Sequence, residues 1–114
     1  MTQAQQSPGW KECPQTFTVY QNCSHTIEAI FTANCADYHF TVEFNKKEYN
    51  ENDNSEVYDN SINDTRCLVS FYIVNVMNET HNVVFRASIQ QPNSDVPTLP
   101  CTDVLEVYTC KLLL

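Results

Sequence analysis

Cys67-Leu-Val-Ser-Phe-Tyr-Ile-Val-Asn-Val76 is the longest apolar run in the chain, and its reading decides the fold. β-Branched and aromatic residues fill it and the polar segment Asn78 to Asn82 ends it, which favours a strand over a helix. Leu68, Tyr72, Val74 and Val76 alternate with Val69, Phe71 and Ile73, so both faces are apolar and both are expected to be covered. A strand covered on both faces is central, and the other strands are expected around it.

The neighbouring segments alternate with period two. Val83 to Ile89 sets Val83, Phe85, Ala87 and Ile89 inward, and is expected to form a hairpin with the central run through Asn78-Glu-Thr-His81. Tyr38 to Phe44 is the cleanest alternation, with Tyr38, Phe40, Val42 and Phe44 inward and His39, Thr41 and Glu43 facing solvent. Thr16 to Tyr20 reads as a short strand. Ser24 to Ala33 fits both a helical stripe and period two, and its strand neighbours favour a strand. Gln90 to Pro100 is a proline-punctuated loop, and Thr102 to Leu113 a last strand with Val104, Tyr108 and Cys110 on one face. Trp10, the single tryptophan, packs most simply against a disulfide or over one end of the core. The fold class is all-β.

With 114 residues the chain is one domain with a modest core, for which covalent support is useful. Six cysteines, Cys13, Cys23, Cys35, Cys67, Cys101 and Cys110, with no Cys-x-x-Cys pair, point to three disulfides in an oxidising compartment rather than to zinc. The sequons at Asn22, Asn63 and Asn78 point the same way, to a secreted glycoprotein. Residues 1–9 read as a tail or linker and 10–114 as the extracellular disulfide-bonded β domain. No run approaches the roughly 18 apolar residues of a membrane span, so direct membrane insertion is not expected.

Fourteen acidic and six basic residues give a formal charge of −8, which argues against nucleic acid as a partner and favours either plain solubility or a basic protein. The polar stretch Asn45 to Arg66, with at most a short edge strand near Glu56 to Tyr58, is the leading contact surface, built from Tyr49, Glu51, Asp53, Glu56, Tyr58 and Asp59. Tyrosine rings give contact area at low entropic cost while carboxylates select a basic partner. Asn50-Glu-Asn-Asp-Asn54 lacks the glycine and the distal glutamate of a calcium loop, so no metal is expected. A single glycine, Gly9, excludes glycine-rich phosphate cradles; no hydrolase motif is present, and neither catalysis nor a cofactor is expected.

Tyr108-Thr-Cys110 resembles the tyrosine that precedes the second inter-sheet cysteine of immunoglobulin domains, which implies an immunoglobulin-like antiparallel β-sandwich. Cys35 followed by the alternation to Phe44, Cys67 further on, and Leu105-Glu-Val-Tyr-Thr-Cys110 at the end together resemble the zona pellucida N-type domain of egg coats, in particular the repeats of vitelline-envelope receptors for sperm lysin. That resemblance implies an immunoglobulin-like sandwich, assembly through tandem repeats or homopolymers in an egg coat, and non-enzymatic binding of a basic sperm protein of the lysin type. The family pattern has four cysteines and this chain six, so fifteen connectivities stay open, with Cys110 expected to join an early cysteine. A secreted inhibitor or immune modulator that sequesters a basic ligand such as a chemokine, and a purely structural spacer, are the competing readings.

Overall fold

The computed structural model describes residues 8–21, 23–73, 81–90 and 99–108. Their strands, in chain order, are β1 (Trp10–Lys11), β2 (Thr16–Tyr20), β3 (His25–Phe31), β4 (Tyr38–Phe44), β5 (Lys47–Asn50), β6 (Val57–Asn63), β7 (Arg66–Ile73), β8 (His81–Ile89) and β9 (Leu99–Tyr108). They form two sheets, ordered β1-β3-β7-β6 and β2-β9-β8-β4-β5. The described ladders are antiparallel except β2 with β9, which is parallel.

The alternations at β4 and β8 fall as expected: Phe40, Val42, Val83 and Phe85 are fully buried, and His39, Thr41 and Glu43 lie on the outer face. The ambiguous segment after Ser24 is a strand, β3, which buries Ile27, Ala29 and Phe31. Trp10 covers the core. Its ring meets Phe31, Phe40 and Phe85 edge-on at 4.9, 5.9 and 5.6 Å, and its indole N–H donates to Leu99 O at 2.8 Å.

Four expectations are corrected. β7 is central within its sheet, between β3 and β6, but only Cys67, Val69, Phe71 and Ile73 face the core; Leu68 is half-buried and Tyr72 is 40% exposed. The sandwich has two layers, so an apolar outer row meets solvent. Val74 and Val76 lie outside the described residues. β7 and β8 do not form a hairpin: β7 pairs with β3 and β6, β8 with β4 and β9, so the chain crosses between sheets there. Each strand has its own buried row, and packing those rows face to face buries both, whereas a hairpin would leave the opposite layer without this strand.

The stretch after Phe44 is not a long loop. Asn45 and Lys46, both in the left-handed region at φ 52° and 64°, turn the chain directly from β4 into β5. These two positive φ values fit the type I′ hairpin turn, which matches strand twist. β5 edges one sheet and β6 the other, so the polarity that suggested a loop belongs to two edge strands. Finally, β9 begins at Leu99, within the segment read as a loop; Val104 and Tyr108 share a face as expected, and it is the outer one, the inward row being Cys101, Asp103, Leu105 and Val107. The remainder of that loop and the strand continuation past Tyr108 lie outside the described residues.

Two disulfides are described, against three expected. Cys13–Cys101 joins the chain before β2 to β9, and Cys35–Cys67 joins the turn after β3 to the start of β7. Cys23 is disulfide-bonded as well, while Cys110 lies outside the described residues.

Candidate functional site

The six residues singled out as a contact surface divide into three groups once folded. Glu51 and Asp59 turn inward. Glu51 leaves the end of β5 and accepts a hydrogen bond from Phe40 N at 3.1 Å, with His39 Nδ1 3.3 Å from the same oxygen. Asp59 lies on the inward side of β6, opposite Val69, and its carboxyl hydrogen-bonds that of Glu51. Burial first, and then Asp59, push the Glu51 carboxyl from 4.5 to about 7, against the opposing pull of the Phe40 N–H. The charged form is disfavoured because it sits largely out of water beside a second acid. These two carboxyls bridge the edges of the two sheets and are not an exposed contact surface.

Tyr49 also packs inward, its ring 5.0 Å from Phe71, with Lys47 Nζ 4.8 Å above it. It lines an open groove of about 280 Å³ together with Glu56, Phe71 and Tyr72. Asp53 and Tyr58 stay on the surface, Asp53 in the turn after β5 and Tyr58 on the outer row of β6.

The outer face of the β1-β3-β7-β6 sheet shows what sequence reading missed. Register places Glu28, Ser70 and Tyr58 side by side, with Thr26 beside Tyr72 in the adjacent row. Glu56 flanks Tyr72, whose N–H donates to Glu56 O at 2.8 Å. Tyr58 and Tyr72 are 43% and 40% exposed while Ser70 is 2% exposed. Two aromatic rings and two carboxylates thus surround a filled floor at one end of the face. Ile30, Leu68 and Ile62 continue it toward Lys11 and Arg66 at the other end. Assigning Tyr72 to a covered face hid its role.

Of the sequons, Asn63 is described, exposed at the end of β6, its Oδ1 accepting from Thr65 N and Thr65 Oγ1, each at 2.9 Å. Asn22 and Asn78 lie outside the described residues. Among those residues no helix is long and apolar enough to cross a membrane. Among the described residues, the two His/Cys/Asp/Glu groupings close enough to hold an ion each contain a disulfide pair whose sulfurs are already bonded to each other, which leaves one carboxylate apiece.

No family model and no curated protein matches the sequence. Solved structures match the backbone. A chimeric titin Z1Z2 functionalized with an exogenous KLER peptide from decorin aligns with TM-score 0.54 at 17% identity over 94% of this chain and 99% of that one. The fold is immunoglobulin-like. The M1 domain from titin aligns with TM-score 0.57 at 8% identity over 90% of this chain and 95% of that one. The N-terminal Ig1-2 module of the Drosophila receptor protein tyrosine phosphatase DLAR aligns with TM-score 0.57 at 11% identity, over 92% of this chain and 50% of that one.

This immunoglobulin-like chain differs from antibody domains, in which an inter-sheet disulfide packs under a tryptophan at mid-sandwich. Here Trp10 comes from the first strand, and the middle of the core is closed by Phe31, Phe40 and Phe85. Nor is Tyr108 a tyrosine corner: it is 51% exposed on the last described strand, and its hydroxyl donates to Glu106 at 3.2 Å.

Proposed function

We propose that this domain is a non-enzymatic extracellular recognition module that binds a basic protein through the outer face of the β1-β3-β7-β6 sheet. The observation that carries the reading is the exposure of Tyr58 and Tyr72 around buried Ser70, with Glu28 and Glu56 beside them. Tyrosine in a partly exposed patch is the residue type that supplies interface anchors, and adjoining carboxylates select against acidic partners. The chain's charge of −8 disfavours self-association of this face and draws a cationic partner toward it. The disulfides support an oxidising compartment for such a module. The egg-coat reading, with a lysin-like sperm protein as partner, rests on the sequence resemblance and is proposed on that ground. Sequestration of a basic ligand by a secreted inhibitor uses the same surface.

The test is equilibrium binding of the oxidised domain to purified basic proteins, a lysin-type sperm protein and basic chemokines, at low and physiological salt. Saturable capture of the sperm protein that is weakened by Tyr58→Ala with Tyr72→Ala supports gamete recognition. The same behaviour with a chemokine supports the inhibitor reading. Diffuse capture that the tyrosine changes leave untouched refutes the face as a recognition surface and favours a structural spacer.

A further inference from the structure

We infer that the groove between β5 and β7 is a receptor for one cationic side chain, lysine or arginine, of the basic partner, and that Lys47 of the chain itself occupies its mouth until the partner displaces it. The inference rests on the recognition reading above and names the contact that would carry its charge selectivity.

The groove has the chemistry for such a side chain. Tyr49, Glu56, Phe71 and Tyr72 line it, with the Tyr49 ring as the aromatic face that meets a cation and Glu56 as the acidic residue of the lining. Tyr49 is held by its contact with Phe71 at 5.0 Å, and Phe71 is itself braced by Phe44 at 5.8 Å, so the aromatic wall is set before any ligand arrives. Glu56 is fixed through its backbone, whose carbonyl accepts from Tyr72 N at 2.8 Å. Aromatic faces with one carboxylate attract an ammonium or guanidinium. An anion meets Glu56 and the field of a −8 chain, and a neutral apolar group would leave the carboxylate desolvated without a partner.

The protein already demonstrates the preference. Lys47 Nζ lies 4.8 Å from the centroid of Tyr49, so an ammonium is the group the groove takes from its own chain. Lys47 is exposed on an edge strand, where its long flexible stem lets it leave the ring. The volume of about 280 Å³ accommodates a second long side chain alongside or in place of it. Glu56 and Tyr72 belong at once to this groove and to the tyrosine face, so a partner lying on that face can reach into the groove with a single side chain. A glycan on Asn63 leaves it open, because the seven residues of β6 put Asn63 roughly 20 Å from the Glu56 end.

The test is titration of ¹⁵N-labelled oxidised protein with a blocked arginine-rich peptide and with its citrulline counterpart, which keeps the shape and loses the charge. The arginine peptide should shift the amides of Tyr49, Glu56 and Tyr72, and citrulline should not. Glu56→Gln should weaken binding, while Lys47→Ala should tighten it about threefold by vacating the ring, given the usual worth of an exposed cation–π contact. Lys46→Asn removes the same charge from the adjacent turn, keeps a turn-compatible residue, and should tighten binding far less. Equal effects of Lys47→Ala and Lys46→Asn, or shifts centred elsewhere, overturn the groove. If the arginine peptide binds elsewhere while a basic protein still needs Tyr58, the groove fails and the recognition reading stands; if neither peptide nor basic protein binds saturably, both fail.

Discussion

Replacing Glu51 by glutamine should flatten the pH dependence of stability between pH 5 and 8. The Glu51 carboxyl is 11% exposed and held at about 7 against an ordinary 4.5. An acid whose folded pKa is raised keeps its proton in the native state after the unfolded chain has lost it, so stability is full below the unfolded value. It falls as pH rises from there to the folded value, and is constant above it. Two and a half units at about 1.4 kcal/mol each set a ceiling near 3 kcal/mol, and screening by nearby water brings the expectation to about 1 to 2 kcal/mol. Glutamine reproduces the protonated acid: its carbonyl can accept from Phe40 N and its amide can donate to Asp59. Urea denaturation followed by Trp10 fluorescence, at pH 5 and pH 8, gives the comparison as a difference between proteins, which cancels titrations they share. The wild type should lose stability relative to Glu51→Gln across that interval. Parallel stabilities would refute the account of a carboxyl held protonated by burial and Asp59.

Phe85→Ala empties a fully buried position against Trp10 and should cost about 3 to 5 kcal/mol, read by the same denaturation. Replacing Cys35 and Cys67 together by alanine should cost about 2 to 5 kcal/mol, measured against the wild type under non-reducing conditions. Asp103 is 1% exposed, burial raises its pKa, and it accepts from Gln15 N at 2.7 Å. Asp103→Asn keeps an acceptor and should be tolerated, whereas Asp103→Ala should cost about 1 to 3 kcal/mol and speed hydrogen exchange at Gln15. Peptide mapping without reduction should return Cys23 joined to Cys110: the other four cysteines are paired with one another, and the β2–β9 register sets Tyr20 beside Tyr108. Any other partner for Cys110 would contradict that register.

The sandwich was legible where one face of a strand is apolar and the other polar, as in β4 and β8, because burial acts on each residue separately and leaves period two in the sequence. What did not show was which sheet a strand joins. β7 and β8 carry buried rows whether they pair or face each other across the core, and only the register with β3, β4, β6 and β9 tells the two apart. β5, and all of β6 beyond the short edge strand read near Glu56 to Tyr58, were hidden for another reason. As edge strands they bury little, and Asp59 occupies an inward position where a strand pattern calls for an apolar residue. Its partner Glu51 comes from the end of β5, so the satisfaction of that acid is a tertiary fact. The turn Asn45-Lys46 has no glycine to announce it. Of the residues read as a contact surface, alternation in β6 sends Tyr58 outward and Asp59 inward, and Tyr72 had to be released from the core before the outer face could be seen.

The inward turn of Glu51 and Asp59 separates two properties that total charge alone would merge. If −8 served recognition as a diffuse field, neutralising any two acids would slow association about equally, since exposed charges act over a screening length of about 8 Å at physiological salt. The proposed recognition face gives the acids different work: Glu28 and Glu56 border the tyrosines, where a partner would meet them, while Glu51 and Asp59 tie sheet edge to sheet edge. Glu28→Gln with Glu56→Gln should therefore lower the association rate for a basic protein while leaving unfolding within about 0.5 kcal/mol per site. Glu51→Gln with Asp59→Asn, compared above pH 8 where Glu51 is ionised and the change in net charge is the same, should alter stability and its pH dependence while leaving association nearly unchanged. Rates that depend only on how many acids are removed would show that the partner senses the field of the whole domain, and that the tyrosine face is not where it lands.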